Sequence, residues 1–255
     1  ALVAAKNEEE RQKQNASLSP KIEELSASMT ELRERLGQSP ELGRVAAATN
    51  ELTESLTALD RAVAEMLQLR AARAEKVEEI AKLHSEILAL TVPMVDDVNF
   101  DLVIEAELAA EIGGSAVTEL FDGGVATLMA VLRTEAKANL LEGILRDAAQ
   151  ANDASRLQPL RDRFTGASAT LDESLAKLPA NENTEQLKVL ISAFLALGND
   201  AGSIFELREA ELAAGHEASA LLEQNRQQAT KLAAEVDKLV AAAGNDLSAG
   251  TESSE

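Results

Sequence analysis

Three arginines stand at positions where the apolar pattern of two long helices would place leucine. Apolar residues recur in alternating steps of four and three from Leu52 to Met66, and this register continues to Arg70 and Arg73. A similar pattern later in the chain leads to Arg208. A buried guanidinium is costly unless it is paired, and its fork of donors matches the two oxygens of a carboxylate. We therefore predict that Arg70, Arg73 and Arg208 point inward and bind a small organic anion.

The same arginines have a second explanation that involves no ligand. They could form an internal salt bridge with Glu75, Glu135 or Glu211, or pack their aliphatic stems while the charged heads reach solvent. The sequence leaves both explanations open, because a helical register places the arginines on a face but does not identify their partners.

No other group of residues predicts chemistry. His84 shares the apolar register, where a single histidine is more often structural than a metal ligand. The chain has no cysteine, which excludes disulfides and thiolate sites. The glycine pairs that begin at Gly113 and Gly123 follow no predicted strand, so they do not form a phosphate-binding loop. We predict no catalytic residues, no metal and no cofactor, and therefore no enzyme.

The amino-acid composition predicts an all-α fold. Ala, Leu and Glu are strong helix formers and dominate the chain, whereas aromatic residues make up 2%. With 24 basic and 44 acidic residues, the net charge of −20 repels nucleic acid and anionic lipid. Because the chain begins at Ala1 inside a helical pattern, we expect it to be a piece of a longer protein.

The helical pattern divides the chain into four segments. The second helix is predicted to run from Pro40 to Thr91, where Val92 and Pro93 end it. The last helix is predicted to start at a Thr184 cap and to continue without a break to about Ala243. The predicted segments are a first hairpin at 1–91, a connector with a short helix at 92–124, a second hairpin at 125–246 and a flexible tail at 247–255.

The two hairpins resemble copies of one another. A constant offset places Pro20 on Pro159, and after a one-residue slip it places Arg70 on Arg208. Leucines match along the same alignment. The predicted fold is therefore an elongated antiparallel helical bundle of two stacked four-helix modules, built from a duplicated long hairpin, with both chain ends at one end.

One short stretch resembles a known family. The segment from Val95 to Ile104 is similar to the connector of the helical bimodular, TorS-like sensor domains, which occur in histidine kinases, chemoreceptors and cyclases. The duplicated hairpin also fits that family. The resemblance implies a periplasmic domain of an inner-membrane protein, tethered by membrane segments outside this chain. Because paired receptors signal across a subunit interface, we also predict a homodimer.

The resemblance implies two modes of sensing. Some members of the family bind small organic acids between their helices, and TorS-like members dock a periplasmic binding protein. Either partner would act by displacing the last helix relative to the first. Two other classes stay open, namely a coiled-coil structural or adaptor rod that binds protein partners, and an exchangeable lipid-surface protein. Hydrophobic segments of about 20 residues on both sides of this sequence in its parent gene would favour the receptor.

Overall fold

The computed structural model describes residues 5–36, 39–112 and 120–252, and within these ranges the chain is helical and contains no strand. The predicted all-α class is confirmed. A π-helical turn at Leu120–Val125 precedes α3, and a short 3-10 helix at Ala154–Arg156 precedes α4. The glycine pair at Gly113 lies outside the described residues. The helices are α1 (Glu8–Leu36), α2 (Pro40–Ile112), α3 (Ala126–Gln150), α4 (Leu157–Leu175), α5 (Glu182–Asn199) and α6 (Ile204–Glu252).

Helix α2 does not end at Thr91, so the predicted helix boundary there is wrong. The helix continues through Pro93 to Ile112, and the short connector helix expected after it is the last part of α2. Proline removes one backbone hydrogen bond from a helix, but Ile87 and Met94 on either side of it are both buried in the same core. Their burial outweighs the cost of a single missing hydrogen bond.

The last predicted helix is two helices, because the chain leaves the helical path between Asn199 and Ile204. Gly202 adopts a φ of +73°, a left-handed conformation that glycine reaches without strain. The N-terminus of α6 is then capped reciprocally. The Ser203 hydroxyl accepts from the Glu206 amide, and the Glu206 carboxylate accepts from the Gly202 amide.

Both predicted ends of this region also differ from the structure. Asn181 rather than Thr184 caps α5, since its side-chain oxygen accepts from the Thr184 amide at 2.8 Å. At the other end, Gly244 does not stop α6, and the helix continues to Glu252 into the predicted tail. A single glycine costs a helix only about 1 kcal/mol, which the surrounding alanine-rich sequence tolerates.

The described chain forms two compact units. The first contains the described residues up to 68 and from 213 onward, and thus α1, the beginning of α2 and most of α6. Arg44 pairs with Glu235, and the Asn225 amide donates to the Ser55 carbonyl, so α2 and α6 run antiparallel here. Their facing sides bury a core of aliphatic side chains. This core includes Leu42, Val45, Leu59, Val63, Leu67, Ala214 and Ala218.

The second unit contains residues 69–212 and carries the aromatic core. Phe164, Phe194 and Phe205 are fully buried, and the rings of Phe164 and Phe205 meet edge to face at 5.9 Å between centroids. Gly198 lies directly on the Phe164 ring, where any added Cβ would overlap it. By length and composition, the segment 182–244 is long and apolar enough to cross a membrane. However, the helix breaks before α6, and the buried Phe194 shows that α5, the first part of this segment, belongs to the core.

Candidate functional site

Glu211 lies at the meeting point of the three predicted arginines, within the second unit. Arg70 donates from Nε to Oε1 of Glu211 at 3.1 Å. Arg73 donates from Nε to Oε2 at 2.6 Å, and Arg208 reaches the same oxygen from Nη1 at 2.8 Å. The Glu211 side chain is only 4% exposed. The structure therefore brings all three sequence-predicted residues together, around a carboxylate that belongs to the chain itself.

Two helices supply these four residues, one pair each. Arg70 and Arg73 are three residues apart on α2, and Arg208 and Glu211 are three residues apart on α6. Residues at this spacing lie one above the other on a helix surface, so each helix presents its pair on one side. Glu211 can consequently accept from its own helix and from the neighbouring one at once.

Two of the three arginines also cap the C-terminus of α3. Arg73 donates from Nη1 to the Ala149 carbonyl at 3.1 Å, and Arg208 donates from Nε to the Ala151 carbonyl at 2.6 Å. The last carbonyls of a helix have no partner within it, and the partial negative charge at that end favours cations. The cluster thus ties α2, α3 and α6 together at one point.

Two opposing effects act on the pKa of Glu211. Burial raises it, while the hydrogen bonds from Arg73, Arg208 and Arg70 lower it, and their combined effect leaves the pKa below its usual value. Glu211 is therefore ionised at neutral pH. Three guanidinium groups then face one carboxylate, which leaves an excess of two positive charges in the cluster.

The cluster is open to solvent on one side. The Arg70 side chain is 43% exposed, whereas Arg73 and Arg208 are 21% and 14% exposed. Water can therefore solvate the Arg70 guanidinium, while Arg208 depends almost entirely on its protein partners. This gradient of exposure ranks the three arginines by how much each relies on Glu211.

The helical register anticipated which face the arginines occupy but could not select their partner. Glu211 was one of three candidate carboxylates; in the described residues it meets the arginines, and Glu75 and Glu135 do not. The carbonyl acceptors at the end of α3 were not anticipated at all. A sequence signal for them existed in the Asn152–Asp153 interruption, which marks a helix end where cations are favoured.

His84 lies elsewhere in the same unit and forms a contact between helices. Its Nε2 lies 2.7 Å from Oδ1 of Asn139 on α3, and its ring centroid lies 6.4 Å from that of Phe194. No three histidine, aspartate or glutamate side chains of the described residues are placed to hold a metal ion. These contacts support a packing role for His84 between α2, α3 and α5.

Comparison with known proteins gives a fold but no sequence family. No protein-family model and no curated protein sequence matches this chain. Among solved structures, a TorS sensor domain in complex with TorT in the presence of TMAO matches with a TM-score of 0.80 at 18% identity, over 94% of this chain and 90% of that one. The sensor domain of the V. parahaemolyticus histidine kinase TorS matches with a TM-score of 0.70 at 17% identity, over the same shares. The chain therefore has the TorS sensor-domain fold.

Proposed function

We propose that this chain is the periplasmic sensor domain of an inner-membrane signalling receptor of the histidine kinase type. The observation that carries the proposal is the TorS sensor-domain fold, which extends over 94% of the chain. The negative charge that disfavours nucleic acid and anionic lipid supports it. In this proposal the domain recognises a partner and performs no chemistry.

Partner docking is the better-supported mode of sensing. The place where a ligand carboxylate would meet the three arginines is taken by Glu211, which already accepts hydrogen bonds from all of them. A TorS sensor domain forms a complex with TorT. By this analogy, a periplasmic binding protein is the partner that we propose for this chain.

Helices α2 and α6 are the elements that we expect to carry the signal. Each is continuous from one compact unit into the other, since α2 extends from Pro40 to Ile112 and α6 from Ile204 to Glu252. A helix transmits an axial or rotational shift along its length because its backbone hydrogen bonds resist local deformation. In this proposal, a partner bound along either helix would shift residues farther along the same helix.

A receptor chimera tests this function. The chain replaces the sensor domain of a TorS-type kinase, and a reporter of the kinase pathway is measured in cells that each co-express one periplasmic binding protein, with and without its small-molecule ligand. We expect one binding protein to change reporter output severalfold, relative to the chimera alone. Constant output with every binding protein would instead favour the structural rod.

Direct binding of an anion is a second candidate, supported by the excess of two positive charges in the arginine cluster. Thermal unfolding of the wild type is measured with small organic acids, each compared with chloride at equal ionic strength. If the cluster binds an anion, one acid raises the melting temperature of the wild type but not of Arg208→Ala. Equal melting temperatures with acid and chloride would exclude this site.

A Glu211→Ala variant distinguishes an arginine cluster that only pairs with Glu211 from one that also binds an external anion. Removing the internal carboxylate leaves three guanidinium groups facing a space that acetate or formate could enter. Stabilisation of this variant by formate, with none for the wild type, would show that the cluster is built for a carboxylate that the chain itself supplies. Stabilisation of both proteins would support a ligand that binds beside Glu211.

A further inference from the structure

Ser55 and Asn225 interrupt the aliphatic core of the first unit with polar side chains. Ser55 on α2 is 6% exposed, and Asn225 on α6 is 7% exposed. The amide nitrogen of Asn225 donates to the Leu221 carbonyl at 2.9 Å and, across the helix pair, to the Ser55 carbonyl at 3.3 Å. The amide oxygen of Asn225 and the hydroxyl of Ser55 have no partner among the described residues. A buried acceptor and a buried donor thus stay unpaired on facing helices at the same height.

Both unpaired groups depart from what their surroundings favour, since buried polar groups are almost always hydrogen-bonded. The orientation of the Asn225 amide is fixed, because exchanging its nitrogen and oxygen would set the oxygen against two carbonyl oxygens. The Ser55 hydroxyl differs from its neighbours on α2. Thr49, Thr53 and Thr57 each donate to the carbonyl four residues earlier, whereas Ser55 does not. The Ser55 hydroxyl is therefore free to donate to the other helix.

The hydrogen bond that crosses between these two residues does not fix the height of α6 on α2. It ends on a backbone carbonyl, and every residue of a helix presents one, so a displaced Asn225 amide could meet a neighbouring carbonyl. A bond to the Ser55 hydroxyl would instead select one height. A buried asparagine can set the register of packed helices, but here its specific side-chain bond is not made.

Unpaired buried groups are concentrated in the first unit. Of the described residues, five have a buried side-chain oxygen without a partner, and Gln14, Ser55, Asn225 and Gln228 belong to this unit. The second unit contains one, on Thr184. Gln228 follows Asn225 by about one turn, so α6 carries two such oxygens in a row. The described packing of the first unit thus leaves polar groups that a second packing of the same helices can pair.

We propose that Ser55 and Asn225 form a polar latch between α2 and α6. The latch is open in this structure, and it closes when a small displacement of α6 lets the Ser55 hydroxyl donate to the amide oxygen of Asn225. Closing replaces the long bond to the Ser55 carbonyl by a bond between side chains, so the two arrangements are close in free energy. A bound partner can then shift the population from one to the other. This regulatory role rests on the proposed function, in which α2 and α6 carry the signal.

Spin labels measure the displacement directly, because the chain contains no native cysteine. The labels are attached to Glu54→Cys on α2 and Gln227→Cys on α6, which are exposed positions beside the latch. In the Asn225→Asp protein the new carboxylate cannot donate to the two carbonyls, and it accepts a charge-assisted bond from Ser55. We expect the distance between the labels to change by about 1–2 Å relative to the wild type, which is the scale of helix shifts in switching proteins.

Two further variants separate the latch from a general disturbance of the core. Asn225→Leu removes the amide altogether and should keep the wild-type distance between the labels. Adding Ser55→Ala to Asn225→Asp removes the donor and should restore that distance. An unchanged distance in Asn225→Asp, or the same change with and without the Ser55 hydroxyl, would overturn the latch.

Urea unfolding tests the open state without a buried charge. Ser55→Ala removes a hydroxyl that has no partner, whereas Ser168→Ala removes a similarly buried hydroxyl that donates to the Phe164 carbonyl at 2.8 Å. We expect the urea midpoint of Ser55→Ala to equal or exceed that of the wild type, and to exceed that of Ser168→Ala. A midpoint below that of the wild type would mean that the Ser55 hydroxyl is already bonded, to Asn225 or to a buried water, and would contradict the open latch.

Reporter output connects the latch to signalling. Asn225→Asp is introduced into the receptor chimera, and output is measured without any binding protein, with Ser168→Ala as the control. We expect output to change severalfold in Asn225→Asp and to stay at the wild-type level in Ser168→Ala. Unchanged output together with a shifted label distance would reject the regulatory role of the latch.

The latch and the sensor function fail separately. A chimera that responds to a binding protein, in a chain whose label distance never changes, would retain the sensor function and reject the latch. A chimera that never responds, in a chain whose label distance changes as described, would retain the two packings of α2 and α6 and reject the sensor function.

Discussion

The two compact units each contain a charged cluster, and the two clusters have opposite proportions of charge. In the second unit three arginines surround Glu211, which is 4% exposed. In the first unit a single arginine, Arg11, is held between two carboxylates, Glu8 and Asp60. Glu8 is 46% exposed and Asp60 is 23% exposed, so water solvates both carboxylates in addition to Arg11. In the buried cluster, around Glu211, three arginines depend on one carboxylate. In the exposed cluster, around Arg11, two partly exposed carboxylates share one arginine.

Removal of Glu211 should therefore have the largest effect of any change in either cluster. In Glu211→Ala, Arg73 and Arg208 lose their shared anion in a mostly buried position. Breaking a buried pair by removing one partner typically costs 3–5 kcal/mol, and we expect about 3 kcal/mol here because Arg70 can turn to solvent. Urea unfolding measures the change.

The matched control is Glu209→Ala, two residues earlier on α6, where the carboxylate is 64% exposed. Its loss should change the free energy of unfolding by less than about 0.5 kcal/mol. Similar losses for the two variants would mean that burial of Glu211 contributes nothing, and the contrast between the clusters would disappear.

The loss of stability on removing an arginine should be larger for the less exposed arginine. Arg208 is 14% exposed and also donates to the Ala151 carbonyl, whereas Arg70 is 43% exposed. Arg208→Ala should destabilise the protein by about 2 kcal/mol, because it leaves a buried carbonyl and part of Glu211 unsatisfied. Arg70→Ala should cost less than about 1 kcal/mol. Chemical denaturation of both variants would contradict this ranking if Arg70→Ala were the less stable.

Acid should weaken the buried cluster in a defined direction. The folded-state pKa of Glu211 lies below its ordinary value of 4.5, so the unfolded chain binds the proton more readily than the folded one. The stabilisation by Glu211 is complete above about pH 4.5 and is lost as the pH falls through the lower folded-state value. Unfolding free energies between pH 7 and pH 3 should therefore fall less steeply for Glu211→Gln than for the wild type. If the unfolding free energies of the two proteins fell in parallel with pH, the folded-state pKa of Glu211 would not be lowered by the arginines.

The sequence predicts those features of a cluster that depend on one helix, but not those that depend on how several helices pack together. The helical register predicted the inward face of Arg70, Arg73 and Arg208, because periodicity is a property of one helix at a time. The choice of Glu211 over other carboxylates could not be predicted, because it depends on how α2, α3 and α6 meet. The contact of Arg11 with Asp60 likewise joins two different helices, through residues that are 49 positions apart, and no periodic pattern encodes it.

The same distinction applies to the ends of helices. The side chains of Asn152 and Asp153 compete with the helix backbone for hydrogen bonds, and α3 ends just before them at Gln150. Pro93 is an equally strong local signal, yet α2 continues through it because Ile87 and Met94 share a core. At Pro93, burial of the neighbouring residues in the core outweighs the tendency of proline to end a helix, and the sequence alone does not show that burial.

The smallest expected effect belongs to the exposed cluster. Arg11→Ala removes the cation between Glu8 and Asp60, but Asp60 retains a hydrogen bond from the Asn15 amide at 3.1 Å, and Glu8 retains one from Gln12. The pKa of Glu8, about 2 in the intact cluster with Arg11 as the first cause, should rise toward its ordinary value. The Arg11 side chain is itself only 13% exposed, but both carboxylates that it leaves behind are reached by water and keep other hydrogen bonds. We therefore expect a loss of only about 0.5 kcal/mol in the free energy of unfolding, decreasing further in high salt. Carbonyl NMR titration of Glu8 together with urea unfolding checks both parts. A loss as large as that of Glu211→Ala would show that carboxylate exposure does not separate the two clusters, and that Arg11 holds α1 to α2 through a contact as demanding as the buried one.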